Sequence, residues 1–393
     1  MAAVNIDAVT LLQELVRIPS PNPPGDTQQI AAYIAETMRG AGCQVTTPAP
    51  PVKPEAVNVI ATIGQGDPVI MLHAHIDTVP IAATEAAKWQ VDPYAAVIKD
   101  GKLYGKGSID DKAPLAAMMA TMLHAAEQAD QLRGTLVLVA AAEEETGGQL
   151  GTRWLADNGH LPACDFIVVG EQTANKVGVA HKGVMRATVR TTGRSVHATN
   201  PDRGINAITA MAKAVLALEQ YHRELAQRVH PIVGVPTCNV GMIQGGSTAN
   251  ALPDACTIYL DRRMIPREDP QAVQAEMQAV IAGVDVGPAE ISMGDFLFSS
   301  WFDSTIDSPL AQTFMDCVRD TLQTEPGPVG YLPGSDAKHL FDVMRGEMII
   351  FGPGTYEVAH AFDEHVVLDE FAATNRILLD FMTRTLLGQK DKS

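Results

Sequence analysis

Short apolar runs alternate with helical patterns through the first half of the chain. The runs are rich in Val, Ile and Leu and lie at residues 58–63, Val69–His75, 135–142 and 165–170. Such near-continuous apolarity is typical of strands that helices cover on both faces. Helical patterns lie between them, at about residues 28–38 and 113–128. The alternation predicts an α/β domain with a helix-layered, mostly parallel sheet.

The pattern changes near residue 183. A strand at 184–191 and an Ala-rich helix at 205–225 precede two strands, a helix and a strand, at 238–244, 256–263, 270–281 and 290–296. This βαββαβ order predicts a compact ferredoxin-like unit. Beyond about residue 300 the α/β pattern returns. We therefore predict a catalytic domain formed by residues 1–181 and 298–393, with an inserted domain at residues 182–297.

Charge and composition narrow the function classes. The 393 residues include 46 acidic and 29 basic side chains, a net charge of −17. This excess disfavours polyanionic partners, so we expect neither nucleic acid nor a membrane surface. No apolar run approaches the roughly 20 residues of a membrane span. The five cysteines form no CxxC pair, which predicts a cytoplasmic protein without a disulfide framework.

The candidate chemistry follows the predicted strands. Ligands of open α/β sheets bind outside the carboxyl ends of strands. Here these ends lead into His or carboxylate side chains, and a Gly-rich loop ends in a further carboxylate: His73, His75 and Asp77; Glu143, Glu144 and Glu145; Glu171; His360; and Asp110. Mixed His and carboxylate ligands suit zinc with an open coordination position, or cobalt or manganese.

These segments resemble the dinuclear-zinc amidohydrolase and peptidase family of acetylornithine deacetylase, succinyl-diaminopimelate desuccinylase and glutamate carboxypeptidase. The resemblance rests on motifs that occur in the family's order across most of the chain: His75-Ile76-Asp77-Thr78-Val79-Pro80, Gly105-Lys106-Gly107-Ser108-Ile109-Asp110-Asp111-Lys112, Glu144-Glu145-Thr146-Gly147, Gly170-Glu171-Gln172-Thr173 and Gly334-Ser335-Asp336-Ala337. Each motif alone is modest, but their combination is specific.

The resemblance implies a site for two zinc ions, which cobalt or manganese can replace. Asp110 would bridge the two ions, because a carboxylate has two oxygens. His75 and Glu171 would complete one site, and Glu145 and His360 would complete the other. The peptide bond between Asp110 and Asp111 is expected to be cis, as is typical of the family.

The resemblance also implies two catalytic roles near the metals. Glu144 would be the general base, and Asp77 would accept the other ring N–H of His75. Two alternatives stay open. His73 shares the predicted face of His75, and the motif after His75 favours His75 as the ligand. Because Glu143 to Glu145 are three consecutive glutamates, the residues alone leave open which of them is the base and which is the ligand. The position of Gly147 in the Glu-Glu-x-Gly motif favours Glu144 as the base and Glu145 as the ligand.

The resemblance also implies that the inserted domain mediates formation of a homodimer. His197 would polarise the scissile carbonyl across the interface of a homodimer, and the alternative is an ordinary surface-loop histidine. Asn250 and Arg263 are candidates to hold a substrate carboxylate. Arg262 and Arg263 would point to opposite faces of a strand, so that one of them faces the cleft.

The predicted function is hydrolysis of the amide bond of an N-acyl amino acid. The segment at residues 18–25 resembles the deacetylase and desuccinylase branch. One alternative is an exopeptidase or carboxypeptidase for dipeptides or acyl-glutamate substrates, which would share every catalytic residue. Another is a catalytically silent dimeric binding protein, which would be free to lose the ligand and base residues that this chain retains.

Overall fold

The computed structural model describes residues 7–341 and 343–387. The chain divides into two compact units, with boundaries after Val179 and after Asp303. We call Ala180–Asp303 the inserted domain and the remainder the main domain.

The elements follow in chain order. Before the insertion they are α1 (Ala8–Val16), α2 (Gln28–Gly40), β1 (Gln44–Thr46), β2 (Val59–Gln65), β3 (Val69–His75), α3 (Ala83–Ala86), β4 (Val97–Lys99), β5 (Lys102–Tyr104), α4 (Lys112–Glu127), β6 (Gly134–Ala141), α5 (Thr152–Asp157), β7 (Cys164–Gly170) and β8 (Val177–His181). In the inserted domain they are β9 (Gly183–Thr192), α6 (Ala207–Leu225), β10 (Thr237–Gly245), β11 (Ala255–Met264), α7 (Pro270–Ala282), β12 (Glu290–Ser299) and β13 (Phe302–Asp303). After it they are α8 (Pro309–Leu322), β14 (Pro328–Tyr331), β15 (Met344–Phe351), β16 (His365–Val367) and α9 (Leu368–Met382).

The main sheet is mixed, with a parallel centre. Its order runs β1-β2-β6-β3-β7-β15-β8, and β14 pairs with β8. The neighbours β6, β3, β7 and β15 are parallel to one another. The β1–β2, β2–β6 and β15–β8 pairs are antiparallel. The predicted helix-layered α/β fold is confirmed. Its parallel centre consists of the four strands β6, β3, β7 and β15.

Helix α4 lies within the main-domain core. It packs against β3 and β6 and against helices α1 and α9, and residues on nearly all its sides are buried. A helix that is apolar all round is expected in such a position. The loop before α4, which contains Asp110, is therefore attached to one of the most enclosed elements of the domain.

The inserted domain has the order β10-β11-β9-β12, with antiparallel neighbours. Alternate residues of β9, namely Met185, Ala187 and Val189, share one apolar core with helices α6 and α7. Alternation along a strand places these residues on one face of the sheet. The βαββαβ order and this strand arrangement confirm the predicted ferredoxin-like fold.

Two expectations from composition can be compared with the structure. Among the described residues, no helix has both the length and the apolarity needed to cross a bilayer. All five cysteines lie within the described ranges and are buried and free.

Candidate metal centre

The four parallel strands of the main sheet end at a common edge, and each leads to a residue with a metal-binding side chain. β3 ends at His75, and β7 ends one residue before Glu171. β6 ends at Ala141, just ahead of the glutamate run, and the loop after β15 carries His360. Because the carboxyl ends of neighbouring parallel strands meet, side chains from distant parts of the sequence converge here.

Asp110 reaches the same edge from the loop before α4. Its Oδ1 lies 2.9 Å from His75 Nε2, and its Oδ2 lies 3.0 Å from His360 Nε2. The Asp110–Asp111 peptide bond is cis, as the resemblance implied. One carboxylate therefore contacts two histidines that arrive from different strands, one with each oxygen.

The donor atoms at this edge form two groups that share Asp110. One group is His75, Asp110 and Glu171, and the other is Asp110, Glu145 and His360; the donor atoms within each group lie within 4.8 Å of one another. These are the two sets that the resemblance implied. Imidazole nitrogens combined with carboxylate oxygens fit a divalent cation of the zinc type, so the residues present fit a two-metal centre.

Both candidate glutamate ligands contact protein donors. Glu145 Oε1 accepts a hydrogen bond of 3.1 Å from the main-chain N–H of Val79, and its Oε2 lies 3.1 Å from His360 Nε2. Glu171 Oε2 accepts a hydrogen bond of 2.8 Å from the hydroxyl of Tyr331. Such outer contacts orient a ligand before a cation binds.

The electrostatics of the edge favour a cation. Burial, together with nearby carboxylates, raises the pKa of Glu171 well above its usual range. Burial opposes ionisation of Asp110 as well, but hydrogen bonds from His360 and His75 hold the pKa of Asp110 below its usual value. Hydrogen bonds to Asp110 and Glu145 raise the pKa of His360 to about 10. Crowded buried carboxylates of this kind are stabilised by positive charge placed between them.

The contacts of Asp77 differ from the expected one. His75 Nδ1 donates to the main-chain oxygen of Asp77 at 2.9 Å, and the Asp77 carboxylate is farther away, at 3.5 Å. That carboxylate instead accepts the main-chain N–H groups of Glu144 and Glu145, at 3.1 and 3.2 Å, and the side-chain amide of Asn22 at 2.8 Å. The first N–H groups of a helical turn lack partners within the turn, which explains this preference. Since a carbonyl oxygen only accepts, Nδ1 carries a proton, and Nε2, which faces Asp110, is the ring atom placed to ligate a cation.

Three consecutive glutamates follow β6, and the structure separates their side chains. Glu145 belongs to the second donor group. Glu143 forms an ion pair with Lys53. Glu144 is in neither donor group among the described residues, and its Oε1 lies 3.6 Å from Lys338 Nζ. Burial raises the pKa of Glu144 to about 7, against the lowering effect of Lys338. This placement agrees with the register that Gly147 indicated.

His73 lies in a separate buried network. Its Nε2 is 2.7 Å from the hydroxyl of Thr152, which donates to Asp336 Oδ2 at 2.6 Å. Within the described part of the chain, His73 joins neither donor group. Periodicity alone placed His73 and His75 on one face, and the structure gives them different partners.

The inserted domain brings His197 and Asn250 together on its exposed surface. The residue after His197, Ala198, donates its N–H to the main-chain oxygen of Asn250 at 2.9 Å. His197 also forms a β-bridge with Ala251, and its Nδ1 lies 2.9 Å from the Thr199 hydroxyl. Both candidate side chains are exposed.

Arg263 lies at the other end of the inserted sheet. The loops with His197 and Asn250 adjoin Ala255, and Arg263 follows eight residues later on β11. At about 3.3 Å per residue, this separation is roughly 26 Å. Arg263 pairs with Asp261 at 2.7 Å, whereas Arg262 is fully buried and pairs with Glu268 at 2.7 Å. The two arginines thus point oppositely, as alternation predicted, but one inserted domain does not bring Arg263 to Asn250.

Four buried residues outside the predicted set of site residues contact the candidate site. They are Asn22, Tyr331, Lys338 and Glu364. Asn22 lies in the segment that resembles the deacetylase branch, and Lys338 follows the motif ending at Ala337, so motif position was an available signal for both. Tyr331 and Glu364 lie in none of the quoted motifs.

Comparisons with known proteins agree with this geometry. The model of peptidase family M20/M25/M40 matches residues 71–384. Acetylornithine deacetylase of Pasteurella multocida (strain Pm70) is 36% identical over 351 residues, which cover 82% of this chain and 81% of the relative. Probable succinyl-diaminopimelate desuccinylase of Staphylococcus aureus (strain MSSA476) is 29% identical over 348 residues, covering 81% and 84%.

Solved structures share the fold. An M20 family metallo-carboxypeptidase from Sulfolobus solfataricus has a TM-score of 0.77 at 18% identity, with 96% of this chain and 98% of that chain covered. A dinuclear metal-binding peptidase of the M20 family from Bacillus subtilis has a TM-score of 0.68 at 16% identity, with 97% and 98% covered.

Together with the family match and the similar relatives, the α/β fold and the paired donor groups define a metal-dependent hydrolase of amide bonds. The chain belongs to peptidase family M20/M25/M40.

Proposed function

We propose that this enzyme hydrolyses the amide bond of an N-acyl amino acid at a centre of two zinc ions. The observation that carries the proposal is the sharing of Asp110 between two donor groups. His75 and Glu171 would hold one ion with Asp110, and Glu145 and His360 would hold the other. When bound, two such cations polarise the amide carbonyl and favour ionisation of the attacking water. Cobalt or manganese accept the same donor types.

Glu144 is the proposed general base. It takes a proton from the attacking water and transfers it to the leaving nitrogen. Its exclusion from both donor groups supports this role, because a carboxylate outside them remains available for proton transfer. The Asp77 carboxylate, through the N–H groups of Glu144 and Glu145, holds the turn that carries base and ligand.

The proposed substrate carries a carboxylate beside the scissile amide. The similarity to a deacetylase and to a probable desuccinylase supports an acyl amino acid. Arg263 is the proposed contact for the carboxylate, since a guanidinium binds it with two hydrogen bonds. The peptidase titles of the structural neighbours leave cleavage of small peptides as the competing outcome.

We also infer a homodimer, formed through the inserted domain, residues 182–297 by the sequence pattern. Exposed apolar side chains on α6 and on the edge strand β10 support this inference: Ile208, Leu216, Met242 and Ile243. Exposed strand edges and apolar patches favour association. In such a dimer, His197 of one protomer would polarise the carbonyl in its partner's site, and Asn250 would contact the same substrate.

The free cysteines support a cytoplasmic location.

A hydrolysis panel tests the proposal. N-acetyl, N-succinyl and N-formyl amino acids are compared with dipeptides, with zinc or cobalt supplied. We expect an acyl amino acid to be cleaved fastest, loss of activity on removal of metal by a chelator, and its return with zinc. Faster cleavage of dipeptides would favour the exopeptidase. Absence of cleavage across the panel by metal-loaded protein would favour a silent binding protein.

A further inference from the structure

We propose that Glu364 is a positioning residue for the bridging ligand Asp110. Glu364 is only 1% exposed and follows His360 by four residues. Its Oε1 accepts the main-chain N–H groups of Ile109 and Asp110, at 3.2 and 3.3 Å. The inference rests on the proposed function only in that Asp110 holds metal.

A buried lysine balances this carboxylate. Lys106 Nζ lies 3.0 Å from Glu364 Oε2, and Lys106 is 3% exposed. A buried carboxylate without a partner is costly, whereas one that meets an ammonium and two N–H donors is satisfied. All three of these donors come from the loop that ends in Asp110.

The main chain strengthens the same connection. Gly105 donates its N–H to the main-chain oxygen of Glu364 at 2.9 Å, and His365 pairs with Tyr104. Glu364 thus holds the Asp110 loop with its side chain and its main chain. It belongs to the segment that also carries His360, so one residue ties together two ligands of the second donor group.

The Glu364 carboxylate affects the candidate metal site through the main chain of Asp110. It binds the N–H of Asp110 itself, and the two oxygens of Asp110 face His75 and His360. A rotation of that peptide unit would displace both oxygens. Removal of the anchoring charge should therefore weaken metal binding while the buried core of the domain is kept. Loss of such outer contacts typically weakens metal binding about 10–100-fold.

The test is metal affinity in Glu364→Gln, which keeps the shape of the side chain and removes its charge. Zinc affinity is measured by competition with a chromophoric chelator, and the visible spectrum is recorded for the cobalt-loaded protein. We expect zinc binding to weaken by roughly 10–100-fold and the cobalt spectrum to change. Lys106→Met should act in the same direction, and Lys106→Arg should restore most of the affinity because it keeps the charge.

The matched control is Asp157→Asn, which removes an exposed ion pair with Arg153. We expect its zinc affinity to equal that of the unmodified protein. Unchanged affinity and spectrum in Glu364→Gln would overturn the inference, whereas an unmodified protein that binds no metal would refute the proposed function instead. If Glu364→Gln does not fold, the lysine pair decides: equal affinity in Lys106→Met and Lys106→Arg would overturn the inference.

Discussion

The candidate residues of the main domain are buried or half-buried except for His360, whereas the two loop candidates of the inserted domain are exposed. In the main domain, His75 and Glu171 are 2% and 4% exposed and lie at or directly after central strands. In the inserted domain, His197 and Asn250 are exposed on loops between strands. The buried set can be held in place before substrate arrives, as a metal centre requires. The exposed set suits contact with a substrate or with a second copy of the chain.

The candidate metal ligands lie in the main domain, and the candidate substrate contacts lie in the inserted domain. Each candidate ligand in the main domain contacts another ligand or an outer partner in that domain. His197 and Asn250 lie on loops near Ala255, and Arg263 lies eight residues further along β11, which is roughly 26 Å at about 3.3 Å per residue. Within a single inserted domain, these candidates therefore do not converge on one small substrate. A dimer in which His197 and Asn250 serve the partner's site removes this conflict.

The largest expected effect is that of Glu144→Gln, which removes the proposed base and keeps its shape. Loss of a general base typically lowers turnover by about 10²–10⁴-fold. We expect such a fall in kcat with unchanged metal content, because Glu144 is in neither donor group. Steady-state kinetics and metal analysis of the same preparation check this. Glu143→Gln, which removes an ion pair with Lys53, is the matched control and should lose far less. Full activity in Glu144→Gln would contradict the assignment.

His197→Ala should have the next largest effect and tests the role of the inserted domain. Removal of one donor to a developing oxyanion costs about 10²–10³-fold in kcat. Metal content should be unchanged, because the donor groups lie in the main domain.

Mixed dimers sharpen that test. Each variant alone is expected to retain about 1% of the activity or less. A mixed dimer of His197→Ala and Glu144→Gln protomers contains one site with both residues intact. Random mixing should restore roughly a quarter of the unmodified activity, since half of the dimers are mixed and each has one complete site. Absence of recovery after verified subunit exchange would argue against a site shared between protomers.

Much of the main-domain edge was predictable because its strands carry two signals at once. The apolar run Val69–His75 matches β3 at both ends, and the residues after it begin a recognisable motif. The same holds in outline for β6, β7 and β15, each of which leads to a polar residue. Apolarity marks the strand and the polar residue marks its carboxyl end, so both fold and donor set follow from local pattern.

The remaining features depend on contacts that local pattern does not encode. The Asp77 carboxylate binds a turn 67 and 68 residues away, and Glu364 contacts Asp110 across 254 residues. His73 has the periodicity of a ligand, but its partner Thr152 became apparent only in the folded chain. Short strands such as β4, β5 and β16 are too brief to show alternation.

Asp77→Asn should have a smaller effect than either catalytic variant. Asparagine keeps one acceptor oxygen, but its amide group would face a main-chain N–H of the turn that carries Glu144 and Glu145. We expect activity and metal affinity to fall about 10–100-fold, as for other outer contacts of metal sites. Kinetics together with chelator competition measure both quantities. Asp67→Asn, at an exposed ion pair with Arg345, is the control. A loss of activity with unchanged metal affinity would show that Asp77 serves only the base.

The smallest expected effect on catalysis is that of Arg263→Met, and its neighbour provides the contrast. Arg263 is 38% exposed at its side chain and already pairs with Asp261, so its loss should raise KM roughly tenfold and leave kcat nearly unchanged. Arg262 is fully buried against Glu268 and Tyr221, and Arg262→Met would remove the buried partner of a glutamate that keeps its ion pair with Arg228. We expect Arg262→Met to lower the free energy of unfolding by about 1–3 kcal/mol, measured by denaturant titration, with KM unchanged in the folded fraction. If instead Arg262→Met raises KM and Arg263→Met only destabilises, the face of β11 assigned to the substrate is the wrong one.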